Sequence, residues 1–543
     1  MSIPVLSFIA AACGGDDDDD GASQTGGGET TAGAVQPGGT VRVALIQPTT
    51  EPNPLLVQDE GGAGMLGATG EYLSFSDENL ELQPRLAESW EPNDDGSVWT
   101  FKIRSGVTFH NGAPMTSEDV VATFEKLINP DGGSANAQSA LGGVLSAGNM
   151  EAPDETTVVF NLDAPNGNFP TLVSSANYNA IIIPADLDPA DWGQTFEGTG
   201  PFKLQSFTPQ QGATFVRNDA YWGEKPYWQK VTFRIIKNEA ARVAALLSGD
   251  VDAIEQPPTA DLARIKADPR FTVTSKISHR VIYFNFDHLE RSSPFITAKD
   301  GKPLAKNPLV DPRVRHAISK AINRQAIADR VMEGQAIPSG QLVSDKLFGN
   351  VPGLKADAYD PEGAKKLLAQ AGYPDGFNLT IHGPAGRYVN DEKIVQAVAQ
   401  MLTRVGINSK VETAPMGPYS GRASKQEFSF HMVGWGASTG EASSPLRSLL
   451  ATFNRDKGLG AVNWGRYSNV KVDYLIEQAL QQVDDENRRT MLQRATELAM
   501  SDLGLMPVHF QFTIWATKKN VQYTPRTDEY TLAFQFRPTS KQP

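Results

Sequence analysis

Apolar and polar residues alternate in several short stretches of the chain, and each of these stretches predicts a strand. Residues 40–46 are one predicted strand. Residues 98–104 are another, in which the Trp, Phe and Ile side chains fall on one face. In residues 116–128 the spacing becomes helical, with an apolar stripe of Val120, Val121, Phe124, Leu127 and Ile128. Strand and helix patterns alternate over the whole chain, which predicts an α/β protein with open sheets covered by helices.

Helix starts are marked by capping residues. Thr116 and Asp119 have the spacing of a capping box. Asp311 and Asp360 each precede a proline, which is the usual arrangement of an N-cap followed by the first helical residue. These positions predict three helix N-termini.

Length and charge narrow the class of protein. The 543 residues are too many for one compact core, so two or three domains are expected. The net charge of −14 argues against a nucleic-acid partner, because phosphate binding needs a basic surface. The seven histidines are not paired at metal-ligand spacing, there is no cysteine cluster, and there is no P-loop. No metal site or cofactor is predicted, and the chain is not expected to hydrolyse ATP.

The single cysteine, Cys13, follows an apolar segment that ends in three alanines. A Gly-, Ser-, Thr- and Asp-rich stretch comes after it and predicts a flexible tether. The arrangement resembles a bacterial lipoprotein signal, which implies that residues 1–12 are signal-like, that Cys13 is lipidated and that residues 13–37 form the tether. It departs from that pattern at Ala10, where Leu is usual, and in having no Lys or Arg before Cys13. The alternative is a buried or stray cysteine in a disordered start.

Six segments in the same order resemble the family 5 extracytoplasmic solute-binding proteins of ABC importers, the oligopeptide-, dipeptide- and nickel-binding type. They are residues 86–127, 198–207, 217–226, 241–254, 310–336 and 364–377. The resemblance covers nearly everything from Gly38 to the C-terminus.

The resemblance implies a two-lobed periplasmic-binding-protein-like fold, type II and cluster C-like, with an extra inserted small domain. Lobe I would be discontinuous and would comprise residues 38–75, 186–278 and 506–543. The inserted domain would span residues 76–185, and lobe II residues 279–505. Two strands, within residues 280–287 and 505–515, would cross between the lobes and act as a hinge.

The implied function is that of a receptor that holds a peptide-like solute between two lobes and delivers it to an ABC permease with its ATPase subunits. The protein would be a monomer outside the cytoplasm, attached to the membrane by its lipid anchor. Another organic solute or a metal chelate bound by the same fold is the alternative.

The candidate site centres on the turn that follows the predicted strand 429–435. In peptide-binding relatives a Trp in this turn is followed three residues later by an Asp that holds the α-ammonium group of the ligand. Here Trp435 matches, but Ser438 takes the place of the Asp, and the nearest carboxylate is Glu441. The hypothesis is that Glu441 and Arg387 bracket a zwitterionic ligand that packs on Trp435. Further candidate ligand contacts are Tyr388, Asn285, Thr49 and Tyr72.

Three alternatives remain for these residues. In the first, Glu441 caps the next helix and Arg387 is a solvated surface charge. In the second, the ligand carries no free amine, and Ser438 is a hydrogen-bonding wall residue. In the third, Gly436–Gly440 matches the G-x-S-x-G nucleophile elbow of a secreted serine hydrolase, with Asp473 and His509 following in order. The predicted helix starts only near Pro445, which is late for an elbow whose helix must face the developing oxyanion.

Overall fold

The computed structural model describes residues 38–48 and 50–539. The signal-like segment 1–12, the tether 13–37, Cys13 and Thr49 lie outside the described residues, so the predictions made for them stay predictions. Within the described part of the chain, no helix has the length and apolar character needed to span a membrane.

The strands among the described residues are β1 (Thr40–Leu45), β2 (Ser74–Ser76), β3 (Leu82–Pro84), β4 (Ala87–Pro92), β5 (Val98–Ile103), β6 (Met150–Asp154), β7 (Thr157–Asn161), β8 (Phe202–Thr208), β9 (Gly212–Arg217), β10 (Lys230–Ile235), β11 (Ala253–Glu255), β12 (Phe271–Phe286), β13 (Ile296–Thr297), β14 (Ala336–Pro338), β15 (Asn378–Ala385), β16 (Asn408–Pro415), β17 (Phe430–Gly436), β18 (Leu505–Lys518), β19 (Val521–Gln522) and β20 (Arg537–Pro538).

The α-helices are α1 (Glu60–Thr69), α2 (Ser117–Ile128), α3 (Ala135–Leu141), α4 (Phe169–Leu172), α5 (Pro189–Thr195), α6 (Glu239–Ser248), α7 (Leu262–Ala267), α8 (Pro312–Ala321), α9 (Arg324–Ala326), α10 (Pro361–Gln370), α11 (Asp391–Arg404), α12 (Met416–Ala423), α13 (Ser443–Pro445), α14 (Val470–Gln481) and α15 (Asp485–Ser501). A π-helical turn, Leu446–Leu450, continues α13.

The predicted helix starts are confirmed. Thr116 and Asp119 form the capping box of α2. The Asp311 side chain accepts a hydrogen bond from the Arg313 backbone N–H at 2.8 Å, and Asp360 accepts one from Gly363 at 2.8 Å. These caps satisfy backbone donors that the first helical turn leaves without partners.

One large sheet runs through the described residues, in the order β13-β15-β17-β12-β18-β11-β1-β10-β9-β8, with β14 beside β18 and β16 beside β15. The long strands β12 and β18 form its centre and pair antiparallel. One end of this pair adjoins β11, and the other end adjoins β17. In the first predicted crossing segment, residues 280–286 pair with β17, and in the second Trp515 pairs with Glu255 of β11. That the two segments act as a hinge stays a prediction. Their pairing register shifts between Ile277 and Val281, in the middle of the pair.

The buried residues form separate cores on the two halves. A first core joins β1 and β8–β10 to the sheet β4-β5-β7-β6. Two further cores lie on residues 281–510. The segment 76–185, predicted as an inserted domain, thus has its own sheet but shares its core with the neighbouring strands. The boundaries of the three domains stay a prediction.

Candidate functional site

A cavity of about 600 Å³ lies between the first core and the cores of residues 281–510. Glu60, at the start of α1, and residues 166–178 line it from the first half of the molecule. The end of β17, the turn after it and α13 line it from the second half. The volume falls within the range of small-molecule sites, about 300–1,000 Å³. Residues distant in sequence converge here because the fold brings the two halves together.

Four of the residues proposed from sequence line this cavity: Trp435, Ser438, Arg387 and Tyr388. The Trp435 indole N–H donates to the Ser444 hydroxyl at 3.1 Å, which holds the ring against the start of α13. The Tyr388 hydroxyl donates to the Gly434 carbonyl at 3.1 Å. The end of β17 is therefore hydrogen-bonded to both neighbouring segments. Contact of these four residues with a ligand stays a prediction.

Asn285 and Tyr72 do not line the cavity. Asn285 is buried within the sheet, where its side-chain amide pairs with the His431 imidazole on the adjacent strand at 3.2 Å. Tyr72 is buried in the first core, and its hydroxyl donates to the Tyr178 carbonyl at 3.3 Å. Both polar groups serve the interior of the protein, because a buried polar group needs a hydrogen-bond partner.

Glu441 also lies away from the cavity lining, contrary to the charge-bracket hypothesis. Gly440 has a φ of 71°, and the chain then pairs with Phe348, whose N–H donates to the Gly440 carbonyl at 3.0 Å. The Glu441 carboxylate is buried, accepts from the Ser443 hydroxyl and lies 3.6 Å from the Arg488 guanidinium. Burial raises the pKa of this carboxyl. The backbone pairing turns its carboxylate towards Arg488, so it is not placed to hold a ligand ammonium.

A buried ion network that was not predicted forms one wall of the cavity. Arg280, in the middle of β12, bridges the carboxylates of Glu60 and Glu529, the latter at 2.9 Å. Arg387 lies 3.7 Å from Glu60, and the Tyr178 hydroxyl donates to Glu60 at 3.2 Å. Of these residues, Glu529 is outside the cavity lining. Arg280 opens the predicted strand 280–287 directly before the run Val281–Phe284, and this arginine was the signal in the sequence that could have indicated the network.

The charges in this network stabilise one another. Burial by itself raises the pKa of the Glu529 carboxyl, but Arg280 and His279 together with a hydrogen bond from Ser278 outweigh burial and bring that pKa down to about 2. For Glu60, Arg280 and Arg387 likewise outweigh burial and lower the pKa. The pKa of Arg280 stays well above its ordinary value, because the two carboxylates outweigh its own burial. All three groups are therefore charged at neutral pH.

A third guanidinium, that of Arg447, lines the cavity from the π-helical turn. It donates to the backbone carbonyls of Ala140 at 3.2 Å and Gly142 at 3.0 Å. Among the described residues, no carboxylate lies within ion-pair distance of Arg447, and burial lowers its pKa. Nothing in its sequence context marked this arginine.

One group of donor atoms among the described residues has the proximity of a metal site. Carboxylate oxygens of Glu60 and Glu529 and a ring nitrogen of His279 lie within 4.8 Å of one another. Arg280 bridges both carboxylates and Arg387 lies 3.7 Å from Glu60, so two guanidiniums balance the two negative charges and would repel a divalent cation. The group fits an internal ion network better than a metal site.

The model of the family described as bacterial extracellular solute-binding proteins, family 5 middle, matches residues 81–457. The chain belongs to this family. The predicted family and two-lobed fold class are confirmed, and the family comprises substrate-binding proteins of ABC importers.

The names of similar proteins state different ligands. The dipeptide-binding protein of Escherichia coli K12 is 26% identical over 454 residues, covering 79% of this chain and 81% of the relative. Heme-binding protein A of Haemophilus influenzae is 26% identical over 459 residues, covering 80% of each. Among solved structures, the periplasmic binding protein DppA of Helicobacter pylori, in complex with the peptide STSA, superposes with a TM-score of 0.78. It is 23% identical and the match covers 93% of this chain and 98% of that one, which shows the fold.

In this family 5 protein, the hydrolase alternative finds no support at Ser438. The helix after the G-x-S-x-G sequence starts only at Ser443. The Asp473 carboxylate accepts two hydrogen bonds from Thr452, one from the backbone N–H at 2.8 Å and one from the side-chain hydroxyl at 2.6 Å. His509 is fully buried within β18. Within the described residues these side chains do not form the hydrogen-bonded chain that a catalytic triad needs.

Proposed function

We propose that this protein is the extracytoplasmic receptor of an ABC importer, and that it delivers a peptide-like solute from the cavity to a permease driven by separate ATPase subunits. Membership of family 5 supports the receptor role. The cavity between two cores, joined through the paired strands β12 and β18, supports capture by closure of the two halves. Anchoring through Cys13, a monomeric state and the absence of catalysis belong to the same proposal.

We further propose that the solute carries a free carboxylate, and the balance of charge in the cavity carries this proposal. Three guanidiniums line it, those of Arg280, Arg387 and Arg447, and the carboxylates that contact them are Glu60 and Glu529. One positive charge is left over. Leaving a buried charge uncompensated costs several kcal/mol, so an anionic group on the solute would be favoured there.

The opposite end of the solute is proposed to be neutral. Ser438 is uncharged, and the Glu441 carboxylate pairs with Arg488 outside the cavity. A solute ammonium next to Trp435 would therefore lack a counter-charge, and burying it would be costly. The names of the relatives include dipeptide-, heme- and glutathione-binding proteins. Each of these molecules carries carboxylates, so the anionic end is common to them while the rest of the solute differs.

Calorimetry with three matched compounds tests the proposal. N-acetyl-Ala-Ala has a carboxylate and no ammonium, Ala-Ala has both, and N-acetyl-Ala-Ala amide has neither. The wild type should bind the first at least about tenfold more tightly than the other two, since a hydrogen bond to a charged group contributes about 1.5–3 kcal/mol. Equal affinity for the acid and its amide would contradict the carboxylate proposal.

Variants locate the effect in the cavity. Arg387→Met should weaken binding of N-acetyl-Ala-Ala about 10- to 100-fold, because it removes one charged donor. Arg404→Met, an exposed arginine on the same half, should bind as the wild type does. Ser438→Asp should reverse the preference and favour Ala-Ala, because it supplies the carboxylate that peptide-binding relatives have in this turn. A variant that still prefers the acetylated peptide would show that the amine end lies elsewhere.

A further inference from the structure

Arg447 stands on one half of the molecule and contacts the other. Its turn, Leu446–Leu450, is anchored by Leu446, Leu449 and Leu450, which are buried in a core of residues 281–510. Its guanidinium reaches the carbonyls of Ala140 and Gly142, at the end of α3. Helix α3 belongs to the first core through Ala137 and Leu141. The side chain therefore joins two separate cores.

The backbones also approach each other closely at this point. A Cβ atom on Gly458 would lie 3.4 Å from the Gly142 carbonyl oxygen, and one on Gly143 would lie 3.7 Å from the Lys457 carbonyl. A second cavity of about 270 Å³ lies here, lined by Gly142, Lys457 and Arg447 among others. Arg447 lines both cavities and forms part of the partition between them. It is placed where the halves meet and where the solute would lie.

The N–H donors of Arg447 explain how one side chain can contact both the opposite half of the molecule and a solute in the main cavity. A guanidinium has five N–H donors in a fixed fork, and the two carbonyls use one N–H on each terminal nitrogen. Neutral carbonyls orient the group but do not balance its charge. A carboxylate in the main cavity would supply the missing charge, and it can do so with the carbonyl contacts intact only while the two halves are together. Binding at this residue would thus differ between the closed and the open arrangement.

We propose that Arg447 couples capture of the solute carboxylate to closure, by binding the carboxylate and the carbonyls of Ala140 and Gly142 at the same time. The proposal rests on the proposed function, since it needs an anionic solute. It makes Arg447 a specificity residue and the contact that favours the closed arrangement on this side of the cavity.

Two measurements on the same variants test the coupling. Distances between the halves are measured by double electron–electron resonance, with spin labels on Glu118→Cys and Lys471→Cys, two exposed positions, in a Cys13→Ser background. Affinities for N-acetyl-Ala-Ala and its amide are measured by calorimetry. In Arg447→Met, the distances between the labels should be longer than in the wild type without solute and should change less when N-acetyl-Ala-Ala is added. The preference for the acid over the amide should fall at least about tenfold.

Two further variants sharpen the test. Arg447→Lys keeps the charge but has no fork to span both carbonyls, so it should lengthen the distances while keeping most of the preference for the acid. Arg455→Met changes an exposed arginine eight residues along the chain and should match the wild type in both measurements.

The outcomes separate the two proposals. If the wild type prefers the acid and Arg447→Met leaves either the preference or the distances unchanged, the proposed function stands and the coupling is overturned. If the wild type does not prefer the acid, the proposal of a solute carboxylate fails and the coupling fails with it. Loss of preference together with longer distances in Arg447→Met supports both.

Discussion

The buried acid Glu255 should make a pH-dependent contribution to the stability of this protein. It lies on β11 with 6% of its surface exposed. Its carboxylate accepts from the Ile46 backbone N–H at 2.6 Å and from the Thr531 hydroxyl at 2.5 Å. Burial raises the pKa of this carboxyl from 4.5 to about 7, because these hydrogen bonds and the charge of Arg242 only partly offset the loss of hydration.

The direction in which the free energy of unfolding changes with pH follows from the protonation of Glu255 in the folded and the unfolded chain. Below pH 4.5 the group is protonated in both the folded and the unfolded chain and adds no pH dependence. Between pH 4.5 and 7 the unfolded chain has released this proton while the folded protein keeps it, so the free energy of unfolding falls as the pH rises. At 1.36 kcal/mol for each unit of pKa, the full loss is about 3 kcal/mol, of which about 2.5 kcal/mol falls between pH 5 and 8.

Glu255→Gln keeps the shape of the side chain and cannot ionise. The free energy of unfolding in urea is measured at pH 5 and pH 8 for the wild type and the variant, with tryptophan fluorescence as the signal. Relative to the wild type, the variant should gain about 2.5 kcal/mol on going from pH 5 to pH 8. Glu290→Gln, at an exposed position, should gain nothing. A relative gain below about 0.5 kcal/mol for Glu255→Gln would refute the raised pKa.

Two other changes test the remaining interpretations. Glu441→Gln should leave the affinity for N-acetyl-Ala-Ala within about twofold of the wild type, because this carboxylate faces Arg488 outside the cavity; a tenfold loss in calorimetry would place Glu441 at the ligand after all. Cys13→Ser should abolish lipidation and leave the protein soluble or unprocessed; fractionation with membranes as in the wild type would contradict the lipoprotein interpretation.

Local features of this protein were predictable from its sequence. The caps at Asp311 and Asp360 depend on residues two or three positions away, and Trp435 at the end of β17 and Ser438 in the turn after it are close neighbours in the chain. The two segments predicted to cross between lobes are strands for the same reason, since each is rich in aromatic and β-branched residues. Such features involve neighbours in the chain, and their residue types indicate the structure directly.

Partners distant in the sequence were decided only by the tertiary structure. Glu441 was the nearest carboxylate to Trp435 along the chain, but the pairing with Phe348 turns it to Arg488, while Glu60 reaches the cavity from 220 residues before Arg280. Arg447 meets Ala140 across 307 residues. The free energy of a buried charge depends on what the fold places within a few ångströms of it and on how much water is excluded, and neither quantity depends on distance along the chain.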